Sequence, residues 1–243
     1  MNPEESYGSI AERLAEVRVR LDAACAACGR PSDSVTLIAV TKGFPVEDAR
    51  EVFLAGAVEL GENRVQELVA KADVFRAAGL EPHWHLIGTL QKNKVRHVVG
   101  RVAMVHSVDG LDLLQEISDR SVARDVVTDV LLQVNLSHEE TKHGFDETDI
   151  PAAVDIALGM KSIRLRGLMT MAQPAEDPET VRPVFKGLAD LHARLRTRLP
   201  SGIAESFDVL SMGMSHDFPV AIACGATHVR IGTAIFGGRP PKA

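Results

Sequence analysis

No stretch of these 243 residues approaches the roughly 18 unbroken apolar residues that a membrane-spanning helix needs. The opening MNPEESYGSIAERLAE is acidic and then helical, without the apolar centre of a secretory leader. Basic charge is not in excess: 27 Lys and Arg face 33 Asp and Glu, a formal net charge of −6, and no basic stripe marks a nucleic-acid surface. Cysteine is sparse and odd in number at three, which argues for a reducing compartment. Cys25 and Cys28 form a C-x-x-C, but in an alanine-rich helical stretch with no second pair, where neither a redox turn nor a zinc site is expected. No Pro-, Gly- or Ser-rich linker and no low-complexity tract divides the chain. The expectation is a cytoplasmic protein, one domain over residues 1–243, without membrane or nucleic-acid partners.

What is present is alternation. Ile10, Leu14, Val17 and Leu21 recur at helical spacing, which predicts an amphipathic helix outside the first strand. VTLIAVTK, residues 35–42, is an apolar run bounded by Pro31 and Ser32 before it and Gly43 and Pro45 after it. It reads as a strand buried on both faces, with Lys42 at its carboxyl end. Strand-like VELG, HWHLIG, VAMVHSV, VVTDVLLQVNL, IRLRGLMTM, FDVLSM and THVRIG then alternate with helical or turn segments. Eight such units, after one leading helix, predict parallel strands with helical crossovers, the size of a (β/α)8 TIM-type barrel. A doubly wound open sheet would alternate in the same way.

In parallel α/β proteins ligands gather at the carboxyl ends of strands, so Lys42 has a place to work. The loops after strands seven and eight, the usual phosphate site of a barrel, read SMGMSHDFP (211–219) and RIGTAIFGG (230–238). Ser211, Gly213 and Ser215 in the first, with Gly232 and Thr233 in the second, offer close backbone approach and hydroxyl donors. In a closed barrel strand one adjoins strand eight, so lysine and cradle share one mouth. An amine beside a phosphate socket is the minimum equipment for pyridoxal phosphate (PLP).

The motifs AVTK, GENRVQE, HLIGTLQKNK, QVN, GLMTM, SMGMSHDF and VRIGTAIFG follow one another from residue 39 to residue 237. In this the chain resembles the family of pyridoxal phosphate homeostasis proteins, whose barrel is similar to the N-terminal domain of alanine racemase, as in fold-type III PLP proteins. The resemblance implies that Lys42 is the aldimine lysine and that Ser211, Gly232 and Thr233 hold the phosphate, with Gly213 in the same cradle. It places Arg230 against the pyridine nitrogen and Asn63 near the cofactor. It implies a part in intracellular vitamin B6 homeostasis, with apo-enzymes that use PLP as candidate partners.

An arginine against the pyridine has only donors, so the ring nitrogen stays unprotonated and the ring is a poor electron sink. Racemisation would also need a second acid/base opposite the lysine. In the alanine racemases that this resembles, a tyrosine from an added domain does that work. Here the single tyrosine, Tyr7, precedes the first helix, and the chain stops when the barrel is complete. A binding protein without turnover of its own is therefore expected, as a monomer, with a racemase or decarboxylase as the alternative. A Schiff-base aldolase working through Lys42 without a coenzyme is a third reading. His83 and His85 share one strand face at metal-pair spacing, but with no third ligand in an obvious pattern they read as barrel-interior histidines, and no metal is expected. Lys142 lies on a carboxyl-end loop and is a candidate for a second cofactor site.

Overall fold

A computed structural model describes residues 8–136, 143–173 and 175–238. Eight strands, β1 (Thr36–Val40), β2 (Glu59–Glu62), β3 (His83–Leu86), β4 (Met104–Val108), β5 (Thr128–Gln133), β6 (Ile163–Met169), β7 (Val209–Met214) and β8 (His228–Ile231), pair in parallel in sequence order. β1 pairs with both β2 and β8, and this closure rules out the open sheet.

The leading helix α1 (Ile10–Ala27) starts at a capping box, in which Ser9 and Glu12 each accept the other's backbone N–H. It buries Ile10, Leu14, Val17, Leu21 and Cys25 along one stripe. Crossover helices α2 (Val46–Leu54), α3 (Val65–Ala77), α4 (Leu111–Ala123), α5 (Ile150–Leu158) and α6 (Arg182–Arg196) ring the barrel. Three short helices, α7 (Ser201–Ser206), α8 (Phe218–Ala223) and α9 (Thr233–Phe236), complete the described chain. α1 packs mainly on α8 and α9, near the seam where β8 meets β1.

Three segments depart from the expected pattern. The crossover between β3 and β4 is a 3-10 helix (Lys92–His97) rather than an α-helix. Val95 and Val98, both fully buried, stand three apart, the repeat of a 3-10 turn. α7 was not foreseen because none of its residues is buried, so it carries no apolar stripe. β7 runs on to Met214, four residues into the stretch 211–219 read as loop.

The apolar material forms two clusters. The larger lies between the strands and the helices, while Met104, Leu131, Met169 and Val209 form a small separate one inside the barrel. Polar side chains share the interior with it, and His85, His106, Ser211 and Arg230 are all buried. A barrel normally fills its centre with branched aliphatic side chains, so a polar half at this position calls for a chemical explanation.

Candidate cofactor site

β1 ends at Val40, and Lys42 follows in a half-buried turn at the carboxyl mouth. The backbone on either side of Lys42 is fastened. Thr41 N–H donates to Gly61 O at 2.9 Å, the Thr41 carbonyl accepts from Lys71 Nζ at 2.7 Å, and the Thr41 hydroxyl donates to Glu62 Oε1 at 2.6 Å. On the other side Gly43 N–H donates to Glu67 Oε2 at 2.9 Å. Glu62 and Lys71 form a buried ion pair behind the turn. Burial still pushes the Glu62 carboxyl above its ordinary range, against the pull of Lys71. The lysine thus stands on a braced stretch of chain, a requirement for a side chain that must meet a ligand in one geometry.

Arg230 occupies the middle of β8, between the strand that carries Lys42 and the strand that carries Ser211. It is 4% exposed. Its Nη1 donates to Ser211 Oγ at 2.5 Å and its Nη2 to the Thr170 carbonyl at 2.9 Å. Among the described residues no carboxylate forms an ion pair with it. Burial lowers its pKa to about 10, with Asp217 pulling the other way, so the guanidinium keeps its charge at neutral pH.

The two expected phosphate loops meet at this mouth. Gly232 N–H and Ala234 N–H both point at Ser215 Oγ, at 3.2 and 3.3 Å. Gly232 lies against the end of β1, where an added Cβ would come 3.5 Å from the Val40 carbonyl. Gly213 serves the turn itself. Its φ of +92° is left-handed, and a Cβ there would sit 2.6 Å from Ala221 Cβ on α8. Thr233 is exposed at the first turn of α9. Asn63 follows β2, half-buried, with its Oδ1 buried and unpartnered among the described residues. A bound molecule presenting a polar atom to this amide would satisfy it.

Ser211 is placed differently from the sequence expectation. It is wholly buried beneath Arg230, and its hydroxyl is taken up by Arg230 and by His106 Nδ1 at 2.9 Å. Ser215 is the hydroxyl that faces the backbone donors. Sequence reasoning also missed Glu59, His106 and His228. His85 lies inside the barrel as expected, with its Nε2 2.7 Å from Glu59 Oε2, while exposed His83 holds the other oxygen of Glu59 at 2.8 Å. The His85, His106 and His228 rings cluster with centroids 5.0 to 6.4 Å apart. Tyr7 and Lys142 lie outside the described residues.

The closed eight-stranded parallel barrel is the fold of the alanine racemase N-terminal domain, and the family of that description matches residues 14–240. A relative from Aquifex aeolicus named pyridoxal phosphate homeostasis protein is 41% identical over 228 residues, 94% of this chain and 97% of the relative. One of the same name from Escherichia coli K12 is 40% identical over 233 residues, 95% and 97% of the two chains. The solved structure of PipY from Synechococcus elongatus with PLP bound has a TM-score of 0.82 at 34% identity, covering 94% of this chain and 100% of that one. The chain belongs to the pyridoxal phosphate homeostasis protein family.

Proposed function

We propose that this protein binds pyridoxal 5′-phosphate at the carboxyl mouth of its barrel and keeps it available to apo-enzymes inside the cell, without turning over a substrate of its own. The observation that carries the reading is Arg230, a buried guanidinium without a carboxylate partner among the described residues, standing between β1 with its lysine and β7. PLP supplies an aldehyde that condenses with an amine and a ring that withdraws electrons when its nitrogen is protonated. Lys42 supplies the amine. Gly232, Thr233 and Ser215 hold the phosphate through N–H and O–H donors, and Gly213 lets their loop turn. Asn63 offers its amide to the ring substituents. Arg230 faces the ring nitrogen with donors only, so it keeps that nitrogen unprotonated and the ring a weak electron sink. A site built in this way retains the cofactor more readily than it drives carbanion chemistry.

The first test is the visible absorption of the purified protein with added PLP, wild type beside Lys42→Ala. A yellow band in the wild type that is absent from the variant supports the reading. A colourless wild type overturns it in favour of an aldolase without a coenzyme. Sustained racemase or decarboxylase turnover on amino acids, lost in Lys42→Ala, would overturn the absence of catalysis.

A further inference from the structure

The polar half of the barrel interior is a single line of hydrogen bonds. Glu59 Oε2 lies 2.7 Å from His85 Nε2, His85 Nδ1 lies 2.9 Å from His106 Nε2, His106 Nδ1 lies 2.9 Å from Ser211 Oγ, and Arg230 Nη1 donates to that oxygen at 2.5 Å. The line joins the amino-terminal end of the barrel, where Glu59 opens β2, to the arginine proposed to face the cofactor.

We propose that Glu59, His85 and His106 are positioning residues for Arg230, forming through Ser211 a one-way hydrogen-bond relay. The inference rests on the PLP reading above. A guanidinium has only donors and a carboxylate only acceptors, so the two ends of the relay fix its direction. With both histidines neutral, four protons serve four links. Arg230 donates to Ser211, Ser211 to His106 Nδ1, His106 Nε2–H to His85 Nδ1, and His85 Nε2–H to Glu59. No other arrangement of four protons fills every link.

Two consequences follow. The Ser211 proton is committed inward, so Ser211 serves Arg230 as an acceptor and is not a donor to a phosphate. Glu59 also acts as a remote counter-charge for a buried arginine, because each link polarises the next.

The test is nitrogen-15 NMR of histidine-labelled protein without ligand, with resonances assigned through His85→Gln and His106→Gln. Both His85 and His106 are expected as Nε2–H tautomers. In Glu59→Gln the direction is no longer forced, and His106 should lose its single tautomer. His106 carrying Nδ1–H in the wild type overturns the relay. A parallel PLP titration separates the two ideas. The Glu59→Gln protein should still form the yellow band, with affinity weakened by about fivefold and its pH profile altered. A band in Glu59→Gln with wild-type affinity and pH profile removes the relay and leaves the cofactor reading standing. No band in the wild type removes the cofactor reading and this inference with it.

Discussion

The Lys71 ammonium donates to the carbonyl of Thr41, the residue before Lys42, at 2.7 Å. The same nitrogen pairs with Glu62, whose side chain is wholly buried, so one cation on α3 ties down both the backbone next to the candidate cofactor lysine and the end of β2. Removing one member of a buried pair leaves the other charge stranded, which costs far more than the pair itself contributes. Lys71→Met should therefore destabilise the protein by about 3–5 kcal/mol. The melting temperature should fall by roughly 10 °C. Lys71→Met with Glu62→Leu should recover most of that loss, because no charge is then left unpaired. A Lys71→Met protein that melts like the wild type would show that Glu62 is accommodated without its lysine.

Acid sensitivity should come from buried histidines. His192 and His228 are each held at about 4 and His106 well below 6.5, in every case chiefly by burial. Above pH of about 6.5 the folded and unfolded chains are both neutral at these positions. As the pH falls below that, the unfolded chain binds protons that the folded chain refuses, so stability declines toward about pH 4. Glu59 adds a later loss in the same direction. Burial raises its carboxyl, but the hydrogen bonds from His85 and His83 outweigh burial and lower it overall, so its contribution disappears as acid protonates it. His192 stacks on Phe207 at 4.8 Å, away from the mouth. In His192→Phe the decline between about pH 7.5 and pH 5 should be smaller by about 2 kcal/mol, read from denaturant unfolding at the two pH values. An unchanged pH slope in that variant would remove His192 from the account.

The fold was legible because short, mostly buried strand segments alternate regularly with helical ones, while Gly56 and Gly79 mark helix ends in left-handed turns. Lys42 was legible as the polar residue that ends such a run. The apolar pattern could not show that the barrel interior is half polar. His106 and Ser211 stand 105 residues apart, His85 and Glu59 26 apart, and only closure of the barrel brings them together. The alternation of His83 and His85 reads as two interior histidines, but only His85 is buried while His83 is exposed, and nothing in the sequence singled out Glu59 as the carboxylate between them. Met169 is buried at the end of β6, whereas Met171 lies exposed just beyond it.

Asn63 is held in place by the absence of a side chain on its neighbour. A Cβ on Gly88 would fall 2.4 Å from the Asn63 carbonyl oxygen and 2.7 Å from its Cα, contacts that only a backbone shift could relieve. Gly88→Ala should push Asn63 out of line, weaken PLP binding by about tenfold and cost about 1–3 kcal/mol of stability. Gly110→Ala is the control, because nothing lies within 4 Å of its Cβ position, and it should leave both quantities near wild type. Equal PLP affinity in the two variants would mean that Asn63 does not touch the cofactor.

Arg230→Lys tests whether the site needs a guanidinium or only a positive charge. Arg230 reaches Ser211 Oγ and the Thr170 carbonyl from two different nitrogens held in one plane, spanning the ends of β7 and β6. A lysine carries one nitrogen on a flexible stem and cannot reproduce that fork. Burial would also drive its ammonium toward the neutral amine, which accepts as well as donates. The Thr170 carbonyl or the Ser211 oxygen would then lose its donor in a fully buried place, at a cost of about 1–3 kcal/mol. PLP affinity should fall by about tenfold, and the visible band should move, because the group proposed to face the ring nitrogen no longer presents donors alone. Arg230→Leu should lose as much affinity but give a band that no longer depends on the pH range in which the lysine titrates. If Arg230→Lys kept both the wild-type affinity and the wild-type spectrum, a positive charge of any shape would suffice at this position, and the donor-only character of the guanidinium could no longer support the proposal that the site holds PLP without turnover.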